Sequence, residues 1–255
     1  MTSLSRDARR ARPALGTLVE VRVPDTADAP AAFERAFAAI GQAHRLMSRQ
    51  SPDSDVARLN RAAPGALVPV DHWTFQVLRR AKELHATSGG LFDCAASPGH
   101  GGSLADLELP DEGLVRLRRS LVISLDGIAK GYAVDRAVEA LRTAGARAGM
   151  VNAGGDLRVF GDEPHAVHVR HPRNPGYLVS IGEVKEAAVA TSGRYFGNSS
   201  LVDPRTRRAR ATAWSATVIA QDCTTADALT KPCLLDRRAA PALAAACGVR
   251  ALLLH

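Results

Sequence analysis

Between Ile123 and Asp156 the chain reads ISLDGIAKGYAVDRAVEALRTAGARAGMVNAGGD, and no other stretch limits the fold as much. A strand runs into a glycine turn, then an amphipathic helix, a second strand and a second glycine turn. Val134, Ala137, Val138 and Leu141 share one helical face, and Gly145 ends the helix. Gly127 and Gly131 let main chain approach a ligand closely. Lys130 between them offers a cation for a phosphate. The helix N-terminus that follows adds amide donors and the positive end of a dipole. The spacing is not that of a Walker A loop, and Ala153-Gly154-Gly155-Asp156 does not extend to a dinucleotide fingerprint.

Elsewhere, periodicity predicts a strand over 15–23, with Val19, Val21 and Val23 alternating with Glu20 and Arg22. It predicts helices over 31–47 and 73–87, with His44 on the apolar stripe of the first and read as a partly buried structural residue. Residues 48–65 read as turns. Strands are expected over 114–117, 121–125, 150–152, 157–160, 166–170, 177–181, 188–191, 216–220 and 251–254, and helices over 134–144, 224–235 and 239–247. This mixture lacks regular βαβ alternation and predicts an α+β fold. Residues 1–13 read as a basic tail before a single domain, 14–255.

Composition narrows the function. The 255 residues carry 33 Lys+Arg against 26 Asp+Glu, a net charge of +7 that favours anionic partners. Only 11 aromatics are present and they do not interleave with the arginines, which argues for a small phosphorylated ligand over nucleic acid. No apolar run approaches the roughly 20 residues of a membrane span. As it stands the chain reads as cytoplasmic, or periplasmic if a leader preceded Met1. Cys94, Cys223, Cys233 and Cys247 form no metal-spaced pair and read as reduced thiols. His165, His168 and His171 alternate faces in an extended segment and do not read as a metal site. Asp227, at the start of an apolar helix, caps that helix or binds a cation, and spacing favours the cap. Asp203 and Arg205 read as an ordinary turn, and Thr191-Ser192-Gly193 as a turn able to present hydroxyls.

Laid end to end, these segments resemble the ApbE family, the FAD:protein FMN transferases. The similarity is carried in order by Leu15-Gly16-Thr17, Met47-Ser48 with Ser54–Asn60, Ser88–Asp93, Gly127–Asp135, Val151–Asp156, Ala190–Gly193, Asp203–Thr206 and Ala226–Leu229. The resemblance implies a mixed α/β two-lobed fold with FAD in a cleft. It implies transfer of FMN from FAD to a Thr or Ser hydroxyl of an acceptor protein, with release of AMP and help from Mg²⁺. By this carry-over Asp227 and the Ala129 carbonyl hold the metal. Asp93, Lys130, Asp135, Asn152, Gly154, Gly155, Asp156, Thr191, Ser192 and Gly193 bind the flavin nucleotide.

Two departures from the family pattern bear on mechanism. Lys231 stands one helical turn after Asp227, where the family has a metal-binding Thr. Its ammonium can replace part of the metal's charge, and Thr230, two residues before Pro232, can turn toward the metal instead. Ser200 stands where the family has a His before Asp-Pro, leaving Asp203 or Asp227 to accept the proton. Asp227, Lys231 and Asp203 are therefore the catalytic candidates. Two alternatives remain open: FAD binding without transfer, and hydrolysis of FAD to FMN and AMP.

Overall fold

The computed structural model describes residues 7–24, 26–193 and 201–255. The chain opens with β1 (Asp7–Ala14) and β2 (Thr17–Pro24), joined by Leu15-Gly16. Both turn residues have positive φ, 54° and 72°, the handedness a two-residue hairpin requires. The expected basic tail is therefore a strand from Asp7 onward. Its arginines are held by the first helix, α1 (Ala29–Met47): Arg10 and Arg12 lie over the Phe33 and Phe37 rings and bond to Glu34.

The segment expected to be turns contains a short helix, α2 (Asp55–Arg61), capped by the Ser54 hydroxyl on Ala57 N–H. Next come β3 (Leu67–Pro69) and α3 (His72–Thr87), the latter capped by Asp71. β4 (Leu107–Glu108) and β5 (Leu114–Leu117) complete a three-stranded sheet in the order β3-β5-β4. Residues 121–125 are not a strand, although Leu121, Ile123 and Leu125 are buried. The Asn60 side chain bonds both N–H and C=O of Ile123, at 2.7 and 2.9 Å, and supplies what a neighbouring strand would.

The helix of the glycine-rich stretch, α4 (Ala129–Thr143), starts earlier than its apolar stripe suggests. It is followed by β6 (Gly149–Ala153), β7 (Asp156–Phe160), β8 (His165–Arg170), β9 (Leu178–Val184) and β10 (Ala187–Gly193). β11 (Leu201–Asp203), β12 (Arg208–Arg210) and β13 (Ser215–Ala220) lead to α5 (Cys223–Leu235), α6 (Ala240–Ala246) and β14 (Arg250–Leu254). One sheet runs β1-β2-β6-β7-β10-β13-β14, with every neighbouring pair antiparallel. This is the α+β architecture the pattern predicts. The β8–β9 and β11–β12 hairpins stand outside that sheet. A contiguous apolar core joins β2, α1, α3, α4, α5 and the sheet. Among the described residues, no helix is long and apolar enough to cross a membrane.

The N-termini of α4 and α5 cap one another. Asp227 of α5 accepts from Gly131 N–H in the first turn of α4, at 3.0 Å. Asp135 of α4 accepts from the N–H groups of Cys223 and Thr224 at the start of α5, at 2.9 and 2.8 Å. Each buried carboxylate thus satisfies orphan amides of the other helix and lies at the positive end of its dipole. Gly131 makes the approach possible: a Cβ there would lie 2.2 Å from the Cys223 carbonyl oxygen and 2.9 Å from the Asp227 Cβ. Gly131→Ala would gain about 1 kcal/mol of helix propensity. The clash is with main chain that cannot swing aside, so the net effect expected is a loss of about 2 kcal/mol or more. Urea unfolding at neutral pH measures it, and an equal or higher midpoint would disprove the close-approach argument.

Candidate active site

Four cavities follow one another along the molecule, each sharing residues with the next. The first, about 620 Å³, is lined by Asn152, Gly154, Gly155 and Thr191 together with Thr17 and Leu18. The second, about 750 Å³, shares Thr17 and Leu18 and adds Gly16 and His44. The third, about 490 Å³, shares Gly16 and His44 and adds Asp126, Ala129 and Lys130. The fourth, about 310 Å³, shares Asp126 and adds Asp93, Gly127 and Lys231. Residues far apart in sequence therefore line a run of adjoining cavities, here called the groove, with the start of α4 lining the third.

At one end, β6 and β7 meet in the turn Gly154-Gly155, both at positive φ, 63° and 102°. A side chain on Gly154 would strike the Thr17 hydroxyl at 2.4 Å, so glycine is required there. Asn152 Oδ1 accepts from Gly155 N–H at 3.0 Å and fixes the turn. Asp156, just beyond, is buried and forms an ion pair with Lys130. Its part is to hold that lysine at the groove.

At the other end, Asp93 Oδ1 accepts from the N–H groups of Ala95 and Leu104, at 2.8 and 3.1 Å. Burial raises the pKa of this carboxyl, and those bonds together with His85 oppose the rise. Burial also raises the Cys94 thiol far above its ordinary value, so this cavity-wall cysteine is not a nucleophile.

Several expected site residues lie behind the groove wall. Asp135, expected among the nucleotide ligands, is buried and committed to α5 and to Arg158 at 2.7 Å. Burial raises its pKa, and Arg158 and the α5 donors act against that rise. Its place is a brace between helices. Thr230 does not turn toward a metal. α5 continues through Pro232, and the fully buried Thr230 hydroxyl donates to the Asp227 carbonyl and pairs with Ser192 Oγ, at 2.7 and 2.8 Å. Ser192 is thereby engaged too. Thr191 faces the first cavity and bonds Thr217 at 2.9 Å, and Gly193 pairs with Ser215 at the end of β10.

Asp203, one of the two expected proton acceptors, is engaged by arginines. Its carboxylate takes three bonds from Arg205, at 3.0, 3.1 and 3.1 Å, and one from Arg210 at 3.3 Å, which builds the β11–β12 turn. The Arg205 bond lowers its pKa most, so at neutral pH it stays ionised and has little tendency to take a proton. Because the folded value lies below the ordinary 3.8, its stabilising effect is present above pH 4 and fades as pH falls through the folded value. Asp203→Asn should therefore lower the unfolding midpoint at pH 7, and the gap from the native chain should narrow steadily below pH 4. A gap independent of pH would contradict the ion-pair account. Ser200 lies outside the described residues.

Asp227 is not the cap of its own helix; Asp222 is, through Thr225 N–H at 2.7 Å. The Asp227 Oδ2 is on Gly131 and its Oδ1 takes no hydrogen bond among the described residues, while the carboxylate is buried and lines none of the four cavities. Among the described residues no group of three or more His, Cys, Asp or Glu could hold a metal. One carboxylate and a main-chain carbonyl at the start of α4 suit a Mg²⁺ that completes its shell with substrate phosphates and water. They do not form a cage able to hold one alone.

His44, which the sequence places as a partly buried structural residue, differs in the structure. It is exposed and lines two of the cavities, one turn before Met47-Ser48, and that adjacency was its only signal. Arg49, on the wall of the Lys231 cavity, was missed by the sequence reading.

Known proteins resemble this chain along most of its length. The FAD:protein FMN transferase of Rhodobacter capsulatus is 29% identical over 285 residues, covering 93% of this chain and 53% of that protein. The chain thus spans about half the length of that relative. The FAD:protein FMN transferase of Treponema pallidum (strain Nichols) is 28% identical, covering 90% of this chain and 79% of that protein. Among solved structures, the ApbE protein of Thermotoga maritima superposes with a TM-score of 0.85 at 25% identity, over 97% of this chain and 94% of that one. The flavin transferase ApbE from Vibrio cholerae superposes with a TM-score of 0.83 at 21% identity, over 97% of this chain and 93% of that one. The ApbE family pattern itself matches residues 15–100 and 102–253, and the chain belongs to the ApbE family.

Proposed function

We propose that this protein is an FAD:protein FMN transferase, which uses FAD as substrate and Mg²⁺ as cofactor and modifies a Thr or Ser hydroxyl of an acceptor flavoprotein. The observation that carries the reading is the groove itself. Its two ends, at Asn152–Gly155 and at Asp93–Lys231, flank a cationic middle made by Lys130 and the N-terminus of α4. A dinucleotide has that outline: two ring systems joined by a doubly charged diphosphate.

In the reaction the acceptor oxygen bonds to the FMN-side phosphorus as the bond from that phosphorus to the AMP oxygen breaks. The hydroxyl proton passes to solvent, and AMP leaves with the bridging oxygen and the other phosphate. Catalysis of this kind is mostly positioning and charge stabilisation. Lys130, steadied by Asp156, sets a positive charge at the middle of the groove. Lys231 sets a second charge in the neighbouring cavity against Gly127, where an added Cβ would lie 3.1 Å from its Nζ. A cation held by Asp227 Oδ1 and the Ala129 carbonyl would neutralise charge developing on the diphosphate.

The test mixes purified protein with FAD, Mg²⁺ and an acceptor domain from a flavinylated protein, and records acceptor intact mass and free AMP together. An acceptor heavier by FMN minus water, with matching AMP, supports the proposal. AMP without a labelled acceptor replaces it with FAD hydrolysis. Bound FAD with neither product replaces it with a binding role.

A further inference from the structure

The Asp93–Lys231 cavity has two walls that are not neighbours in sequence. One is the glycine-rich loop 97–103, where Ser97 and Pro98 face the cavity. The other is the β11–β12 hairpin, through Val202 and Pro204. Among the described residues one side chain hydrogen-bonds across them: the Arg207 guanidinium donates to the main-chain carbonyls of His100 and Gly102. Arg207 is half-buried, while Arg205, Arg208 and Arg210 around it are exposed.

Its backbone is unusual as well. Arg207 has φ 56°, in the left-handed region that a Cβ resists, at the turn where its N–H meets the Asp203 carbonyl. Residues kept in such conformations are ones that the surroundings over-determine. The loop it grips cannot easily hold itself. Gly99 and Gly102 both lie at positive φ, and the loop's own main-chain bonds are limited to turns. Its far end is tied to the cavity floor by Leu104 N–H on Asp93. A planar guanidinium suits this task, because its fork can reach two carbonyls at once, which an ammonium does less well.

We infer that Arg207 is a positioning residue, a strap that closes loop 97–103 against the β11–β12 hairpin and so fixes the wall of the cavity that receives one end of FAD. The strap stands on geometry alone; its consequence for FAD rests on the function proposed above.

The test compares the full-length chain with Arg207→Gly and Arg207→Lys. Glycine relieves the φ strain and removes the grip, so a merely tolerated arginine would give equal or better stability and nothing else. Amide hydrogen exchange of the ligand-free proteins reads the strap directly. Exchange over 97–103 should quicken by about tenfold or more in Arg207→Gly, and less in Arg207→Lys. Steady-state turnover should then show KM for FAD raised by about tenfold with kcat nearly kept, and partial rescue by lysine. Unchanged exchange over 97–103 overturns the strap whatever FAD does. Faster exchange with an unchanged KM, in a chain that turns over FAD, overturns the positioning role. If the native chain does not turn over FAD, the functional reading falls and the exchange result alone decides the strap.

Discussion

Asp227→Asn is expected to reduce FMN transfer by about 10²- to 10³-fold while leaving the fold in place. The two consequences separate because the two carboxylate oxygens have different neighbours. Oδ2 caps α4 through Gly131 N–H, and an asparagine carbonyl can keep that bond. The negative charge is lost, and with it the carboxylate of the proposed cation site. Asp227→Ala is the harsher change, since it also uncaps α4 at a further cost of about 1 kcal/mol. Rates with saturating FAD and Mg²⁺, read beside a melting curve, check both. An asparagine variant with native turnover would show that Asp227 is a cap and nothing more.

On the proposed function, Lys231→Thr should change how turnover responds to Mg²⁺. Two unit charges about 4 Å apart at an effective dielectric constant near 20 interact by about 4 kcal/mol. Lys231 is only half-buried, so solvent screening leaves a fraction of that, enough for about a 10- to 100-fold effect. Turnover at limiting Mg²⁺ should fall by that factor and recover as Mg²⁺ is raised. The direction follows from replacing a resident cation with a neutral hydroxyl. A Mg²⁺ titration of both proteins with FAD in excess decides it, and superimposable curves would remove Lys231 from the charge balance.

Much of the site was legible before any fold was known. The Gly127-to-Asp156 segment gave its helix, both glycine turns and the lysine between Gly127 and Gly131, because turn chemistry and a 3.6-residue stripe are properties of neighbours in sequence. Roles decided across the chain were not legible. Spacing alone favoured Asp227 as the cap of its own helix, but it caps the first turn of α4, 96 residues away. Asp203 looked available for proton transfer until Arg205 and Arg210 were seen to occupy it. The strand expected at 121–125 lost its partner to a single asparagine side chain from α2.

The sequence by itself therefore determined the five helices other than α2, the main-sheet strands other than β1, and the residue types able to meet an anionic nucleotide, but not the short strands β3, β4, β11 and β12. Only the tertiary structure decided which of those residues face the groove. Lys130, Lys231, Asp93 and His44 line it, while Asp135 and Thr230 were turned inward to brace α4, α5 and β10. The physical reason is that a buried polar group must find its partner wherever packing puts one. That partner is a property of the assembled fold and leaves no trace in local spacing.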